Sequence, residues 1–182
     1  MNPIVSSLRK AYLLFARGFD LLQSPFLFAI RVFWGWSLAV SGWGKLNHID
    51  KVVEFFGSLN LPNPPLFARA VSLLELVGGA LLLLGLFSRP IALILTGNMI
   101  GAYMTADSEA WHSFFTDPDS GNFTFFGGDT GKFFAADPFP YLMVSIIVLI
   151  FGPGLISLDA LIARMWKQRE PVAQTSPARV AP

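Results

Sequence analysis

The chain contains no cysteine among its 182 residues. This absence excludes a disulfide framework, a thiolate metal site, an iron–sulfur cluster and a redox dithiol. Only two histidines are present, which is too few for a His-rich metal site. The net charge of +1 offers no basic face for nucleic acid. We therefore expect no metal, no haem and no nucleic-acid partner.

Charge is also scarce, because 14% of the residues are charged and 53% are hydrophobic. An average soluble domain has roughly 25% charged residues. Five stretches contain no Asp, Glu, Lys or Arg at all: 21–30, 32–44, 76–88, 90–106 and 138–158. A helix needs an apolar run of about 20 residues to cross a hydrocarbon core roughly 30 Å thick. The pattern predicts an all-α integral membrane protein.

We predict a membrane domain over 25–166 that forms a four-transmembrane-helix bundle, with the lipid bilayer as its surroundings. The predicted spans are 25–46, 66–87, 90–106 and 140–164. Residues 1–24 form an N-terminal interfacial amphipathic helix, because apolar side chains from Leu8 to Leu22 recur at helical spacing opposite charged ones. Ser24-Pro25 is expected to break this helix and to begin the first span. Gly152-Pro153-Gly154 is expected to bend the fourth span.

The distribution of Lys and Arg predicts the orientation. Eight of them lie in the N-terminal segment, the Arg89 turn and the C-terminal end, and four lie in the other two connections and at their margins. By the positive-inside rule, both termini are cytoplasmic in a bacterial cytoplasmic membrane. Residues 167–182 are polar and form a disordered cytoplasmic tail.

The loop over 107–138, here called the long loop, lies on the outer side in this topology. It carries six acidic residues and one lysine, Lys132, and it is rich in phenylalanine. Its aromatic content favours either a lid over the mouth of the bundle or an anchor at the lipid headgroups. The glycines between Phe125 and Phe134 are typical of a hairpin turn. The long loop is also the expected docking site for a partner subunit.

Glu75 is the one acidic residue in the middle of a predicted span. An ionised carboxylate there costs several kcal/mol, so it faces the bundle interior or is protonated. It either accepts a proton from a bound ligand or makes an interhelical hydrogen bond. Arg31 is a candidate partner, but it lies about 9 Å from the inner surface and Glu75 about 18 Å from it, counted at 1.5 Å per residue. Arg31 therefore bridges to Glu75 through a ligand or water, or extends to the inner headgroups.

Three further side chains are candidates for ligand binding. Asn98 and Tyr103 on the third span either orient a quinone carbonyl or bond a neighbouring helix. Lys45 lies beside His48 at the outer end of the first span, and both residue types also serve as interfacial hydrogen-bonding groups. The provisional site is thus Glu75 as the catalytic group, with Arg31, Lys45, Asn98 and Tyr103 binding the substrate.

Three motifs in order give the chain a resemblance to a known family. They are Gly-Trp-Gly-Lys-Leu at 42–46, Glu-Leu-Val-Gly-Gly at 75–79 leading to Leu-Gly-Leu-Phe-Ser-Arg at 84–89, and Gly-Pro-Gly at 152–154 leading to Ser-Leu-Asp at 157–159. Together they resemble the DoxX family of small bacterial membrane proteins. The resemblance implies a four-helix bundle and membership of a group linked to quinone-coupled sulfur oxidation or to membrane redox protection. The thiosulfate reaction of some relatives does not carry over, because no sulfur-handling group is visible.

We therefore expect a subunit of a quinone-linked redox complex that binds quinone as its cofactor near Glu75. Whether the chain is itself an enzyme is left open, and a homo-oligomer is compatible with the sequence. Two alternatives remain. One is a non-catalytic membrane scaffold for a partner enzyme, and the other is a carrier of a small apolar molecule.

Overall fold

The computed structural model describes residues 3–169. Within this range the chain is all-helical, with one isolated bridge between Thr116 and Phe123. The helices are α1 (Pro3–Asn47), α2 (Ile49–Ser58), α3 (Pro64–Leu84), α4 (Ser88–Thr105), α5 (Ser108–Phe115), α6 (Thr130–Ala135), α7 (Pro138–Phe151) and α8 (Leu158–Arg169). The all-α prediction is confirmed. Most of the predicted tail, 170–182, lies outside the described residues.

Helices α1 and α3 cross with their backbones in contact, and glycines make this approach possible. A Cβ atom on Gly42 would lie 2.3 Å from the backbone nitrogen of Leu76. A Cβ on Gly79 would lie 2.5 Å from the nitrogen of Ala39. Small residues allow helices to approach in this way. The crossing therefore sets which side chains of α1 face those of α3.

Four helices form the body of the molecule, because α1 packs on α3, α3 on α4, α4 on α7 and α7 on α1. The apolar core lies between them and includes Leu38, Leu82, Leu95, Met99 and Val148. By length and composition, two segments among the described residues could cross a membrane: Leu8–Asn47 within α1, and Pro64–Leu84. Helix α7 has only 14 residues. Four membrane crossings thus remain a prediction.

The predicted break at Ser24-Pro25 is wrong, because α1 continues through Pro25. The φ angle of proline is compatible with a helix, although its ring removes one backbone hydrogen bond and favours a kink. Contacts with other parts of the molecule fix the helix on both sides of Pro25. The Ser24 hydroxyl accepts a hydrogen bond from the Leu155 N–H at 2.6 Å, and Leu27 is buried. Residues 3–24 and the first predicted span are one helix.

The predicted fourth span of 140–164 is also wrong as a single helix. Helix α7 ends at Phe151, and α8 begins at Leu158. Gly152 and Gly154 both have φ of 78°, a conformation that glycine adopts readily and that does not continue a right-handed helix. The expected bend at this motif is therefore a complete interruption.

The long loop contains helices where a hairpin was expected. The Asp129 side chain accepts a hydrogen bond from the Gly131 N–H at 3.0 Å and caps the start of α6. Phe133 and Phe114 are buried, and Phe133 stacks on Tyr103 with ring centroids 4.4 Å apart. The hairpin prediction fails because these aromatic side chains pack against α4 instead of pairing along two strands. The long loop is thereby folded over one end of the bundle, where α1 and α4 reach their C-termini. We call this end the loop end.

We predict that Gly42→Ala destabilises the protein by about 1–3 kcal/mol, the usual cost of forcing a methyl group into a packed contact. Gly44→Ala is the matched control, because it is two residues away on α1 and a Cβ there meets nothing within 4 Å. Thermal unfolding of the detergent-purified variants measures the difference. Equal stabilities for the two variants would contradict the close crossing.

Candidate functional site

A cleft of about 740 Å³ opens between the helices at the loop end. Volumes of roughly 300–1,000 Å³ are typical of small-molecule sites. Helices α1, α3, α4 and α7 and the chain before α7 all contribute to its walls. The side chains that line it include Trp34, Ser41, Lys45, Phe55, Glu75, Asp107, Phe134, Asp137 and Tyr141.

An ion pair between Lys45 and Glu75 is the polar centre of this cleft. The Lys45 Nζ atom lies 2.5 Å from Oε1 and 2.6 Å from Oε2 of Glu75. The Ser41 hydroxyl donates to Oε2 at 3.3 Å. Glu75 is 5% exposed, whereas the Lys45 side chain is 36% exposed. The carboxylate is therefore buried and neutralised by a cation that still reaches the open part of the cleft.

The α1–α3 crossing explains why Lys45 meets Glu75. A Cβ on Gly42 would lie 2.9 Å from the carbonyl carbon of Glu75, so the two backbones touch at this level. Lys45 follows Gly42 by three residues, which places its side chain on the same face of α1, almost one turn further on. Ser41 lies on that face as well, four residues before Lys45.

Aromatic side chains form the wall next to the ion pair. Trp34 and Tyr141 meet edge to face, with ring centroids 5.6 Å apart. The Tyr141 hydroxyl lies 2.9 Å from the Ser37 hydroxyl. Phe55 from α2 and Phe134 from α6 also line the cleft. The cleft thus combines flat apolar surfaces with one charged pair.

Two carboxyl groups, Asp107 and Asp137, line the cleft at the ends of the long loop. Burial, and secondly the charge of Asp137, raise the pKa of the Asp107 carboxyl above its usual range. A raised pKa means that this carboxyl holds a proton more readily than one in water.

The structure brings together two of the five predicted site residues, Glu75 and Lys45, in the cleft. Tyr103 is buried behind the wall, where its hydroxyl donates to the Phe133 carbonyl at 2.7 Å. Asn98 is half-buried on α4 and does not line the cleft. These positions separate both residues from the ion pair, and their roles in ligand binding stay predictions.

Arg31 lies at the opposite end of the bundle, and its side chain is fully buried. Its guanidinium donates to the carbonyls of Leu27 at 3.3 Å, Leu82 at 3.4 Å and Ile156 at 2.5 Å. A carbonyl that lies outside a helix has no intrahelical donor, so a side chain can take that place. Arg31 thus satisfies the Ile156 carbonyl of the interrupted chain between α7 and α8.

Sequence reasoning missed Trp34, Asp107, Asp137 and Tyr141 as parts of the cleft. A signal for the first was present, since Trp34, Leu38, Ser41 and Lys45 follow one another at steps of four, three and four along one helix face. For the two aspartates no comparable signal exists. They reach the cleft through the fold of the long loop.

Comparison with known proteins matches residues 26–108 to the DoxX family. This segment is a DoxX domain. It extends from α1 to the first residue of α5 and contains both Lys45 and Glu75. The chain is also 28% identical over 130 residues to a protein of Bacillus subtilis (strain 168) named "Putative oxidoreductase CatD", covering 71% of this chain and 81% of that protein. No solved structure matches the chain.

We predict a favourable coupling of roughly 1.5–3 kcal/mol between Lys45 and Glu75 in the DoxX domain, the range for a hydrogen bond that involves charged groups. Lys45→Met alone leaves the buried carboxylate without its cation, so we expect it to destabilise more than the double variant Lys45→Met/Glu75→Gln does. Unfolding of the wild type, both single variants and the double variant in detergent provides the cycle. Additive effects would show that the pair makes no energetic contribution.

Proposed function

We propose that this protein is a membrane subunit of a quinone-linked redox complex, and that the cleft at the loop end binds the quinone headgroup. The observation that carries the proposal is the buried Glu75 carboxylate, paired with Lys45 inside an aromatic-walled cleft. The DoxX domain and a relative named as an oxidoreductase support a redox role.

The cleft suits a quinone headgroup in size, shape and polarity. A quinone ring is flat and apolar on its faces, and it carries two carbonyl oxygens at its edges. Trp34, Tyr141 and Phe134 offer the faces that such a ring packs against. When bound, the quinone supplies the two-electron, two-proton chemistry, and a partner protein supplies or accepts the electrons.

The side chains of this chain would bind the ring and handle protons. The Lys45 ammonium, which is partly exposed to the cleft, donates a hydrogen bond to a ring oxygen. The Glu75 carboxylate would accept the two protons of the ring hydroxyls one after the other, and Ser41 would keep its oxygen oriented. Asp107 and Asp137 would pass each proton to water at the mouth of the cleft.

The proposal includes the predicted topology in the cytoplasmic membrane. Helices α1, α3 and α4 cross it, and α7 together with the interrupted segment before α8 makes the fourth crossing. Ser24 and Arg31 give that segment the backbone partners it needs at membrane depth. The excess of Lys and Arg supports a topology with the loop end outside and both termini in the cytoplasm.

A scaffold for a partner enzyme is the second candidate function, and the long loop favours it. Phe123, Phe125 and Phe126 are each more than 60% exposed at the loop end. Lys132 of α6 pairs with Glu109 of α5 in the same loop. Exposed aromatic side chains are enriched at protein interfaces. In the quinone-linked proposal the same surface docks the partner that exchanges electrons.

The test is organic extraction of the detergent-purified protein, followed by mass spectrometry for bound quinone. We expect near-stoichiometric quinone in the wild type and a large loss in Glu75→Gln and in Lys45→Gln. Glu54→Gln is the matched control, because Glu54 is an exposed carboxylate on α2 that does not line the cleft. Its quinone content should equal that of the wild type.

Two other outcomes would change the function assigned to the protein. Quinone at background in a well-folded wild type would contradict the binding proposal. If Glu75→Gln then also supported full activity of the complex while Phe125→Ser/Phe126→Ser abolished partner binding, the scaffold would be the function.

A further inference from the structure

Helix α1 carries an unpartnered apolar stripe along its whole length, on the side away from α3. We call this the α1 stripe. Its first half consists of Leu8, Tyr12, Phe15, Phe19 and Leu22. All five side chains are more than half exposed, with Tyr12 at 69%. The first half extends beyond the four-helix body, because α3 packs against the later part of α1.

The α1 stripe continues through Pro25 without a change of register. The later members are Phe26, Ala29, Phe33, Trp36, Val40 and Trp43. From Leu8 to Trp43 the steps alternate strictly between four and three residues. This is the a/d pattern of a heptad repeat, sustained over five repeats.

The period of the α1 stripe distinguishes between possible partners. A straight α-helix drifts by about 20° per heptad relative to a 3.5-residue repeat, so five repeats amount to about 100°. A stripe that lies on a flat bilayer needs a period near 3.6 to stay on one side. A period of 3.5 keeps the stripe facing another helix that supercoils around it. The pattern therefore favours a helical partner over a lipid surface.

The length of α1 leads to the same conclusion. At 1.5 Å per residue its 45 residues extend about 67 Å, whereas the hydrocarbon core of a bilayer is roughly 30 Å thick. As one continuous helix, α1 has a large part outside the hydrocarbon, and aromatic side chains are exposed there. That part gains from being covered by protein.

A hollow of about 470 Å³ lies on the α1 stripe, lined by Val32, Phe33, Trp36, Ser37 and Val40. In heptad notation Phe33 and Val40 are consecutive a positions, Trp36 is the d position between them, and Ser37 is e. Four such residues form the hole that receives a d side chain in a parallel two-stranded coiled coil. The residue with that position in a second copy is Trp36 itself.

Charge and area also fit a second copy of this chain. The α1 stripe contains no charged residue, so two identical stripes meet without like charges. Seven of its members are aromatic and at least 55% exposed. At roughly 150–250 Å² per aromatic side chain, the area they can still bury approaches the ~800 Å² per partner of a stable interface.

We propose that two copies of this protein pair in parallel along the α1 stripe as a two-stranded coiled coil. The orientation is parallel because both copies insert into the membrane in the same direction. Each α1 stripe residue then lies opposite the same residue of the second copy, as twofold symmetry requires. The pairing is independent of what the cleft binds.

Single-cysteine crosslinking tests the pairing directly, because the chain has no cysteine of its own. We would introduce Phe15→Cys and Leu22→Cys on the α1 stripe, and Lys10→Cys and Asp20→Cys as controls on other faces of the same helix. Oxidation in intact membranes should give covalent dimers several-fold more efficiently from the stripe positions. A scan over 8–24 should show maxima at 8, 12, 15, 19 and 22.

A second measurement tests the pairing without cysteine chemistry, in case a cysteine variant fails to crosslink for reasons unrelated to pairing. The detergent-purified wild type should have the mass of a dimer by light scattering, and Phe15→Glu/Phe19→Glu should be a monomer that retains its helical circular dichroism. Uniform crosslinking around the helix together with a monomeric wild type would overturn the proposal. So would stripe cysteines that stay unlinked while nitroxide labels on them report lipid contact, since the bilayer would then cover the α1 stripe.

Discussion

Lys45 reaches Glu75 because α1 and α3 cross with their backbones in contact at Gly42. A single methyl group at this position would push the helices apart and move the ammonium away from the carboxylate. Without its cation, Glu75 would be a buried charge, which proteins avoid because desolvation is costly. The glycine contact thus determines both how the two helices pack and whether an acidic residue is tolerated between them.

The polar side chains at the two ends of the bundle have different partners. At the end opposite the cleft, Asp159 accepts hydrogen bonds from the N–H groups of Phe87 and Ser88, both at 2.9 Å, and so caps α4. Arg31 donates a hydrogen bond to the Ile156 carbonyl of the interrupted chain there. At the loop end, by contrast, the charged pair faces an open cleft of about 740 Å³. The polar groups at the Arg31 end therefore form hydrogen bonds within the protein, whereas those at the loop end line an open cleft that a ligand can enter.

Periodicity and charge were enough to predict α3 and α4, as well as the burial of Glu75, because these features depend on local sequence. The pairing of Glu75 with Lys45 was not predicted, since it depends on the axial offset of two helices, which their contact at Gly42 sets. The helix break at Pro25 was predicted from the local preference of proline, which takes no account of tertiary contacts such as the hydrogen bond between Ser24 and Leu155. The aromatic run from Phe125 to Phe134 fits either a hairpin or α6, and packing on Tyr103 decides between them.

The most direct test of the cleft as the ligand site is photoaffinity labelling with an azido-quinone, followed by peptide mapping. We expect the label to attach to α1 near Trp34 and to α7 near Tyr141, excess quinone to compete with it, and Glu75→Gln to reduce it greatly. Label that is spread along the exposed face of α1, or that neither competing quinone nor Glu75→Gln changes, would show that the cleft is not the ligand site.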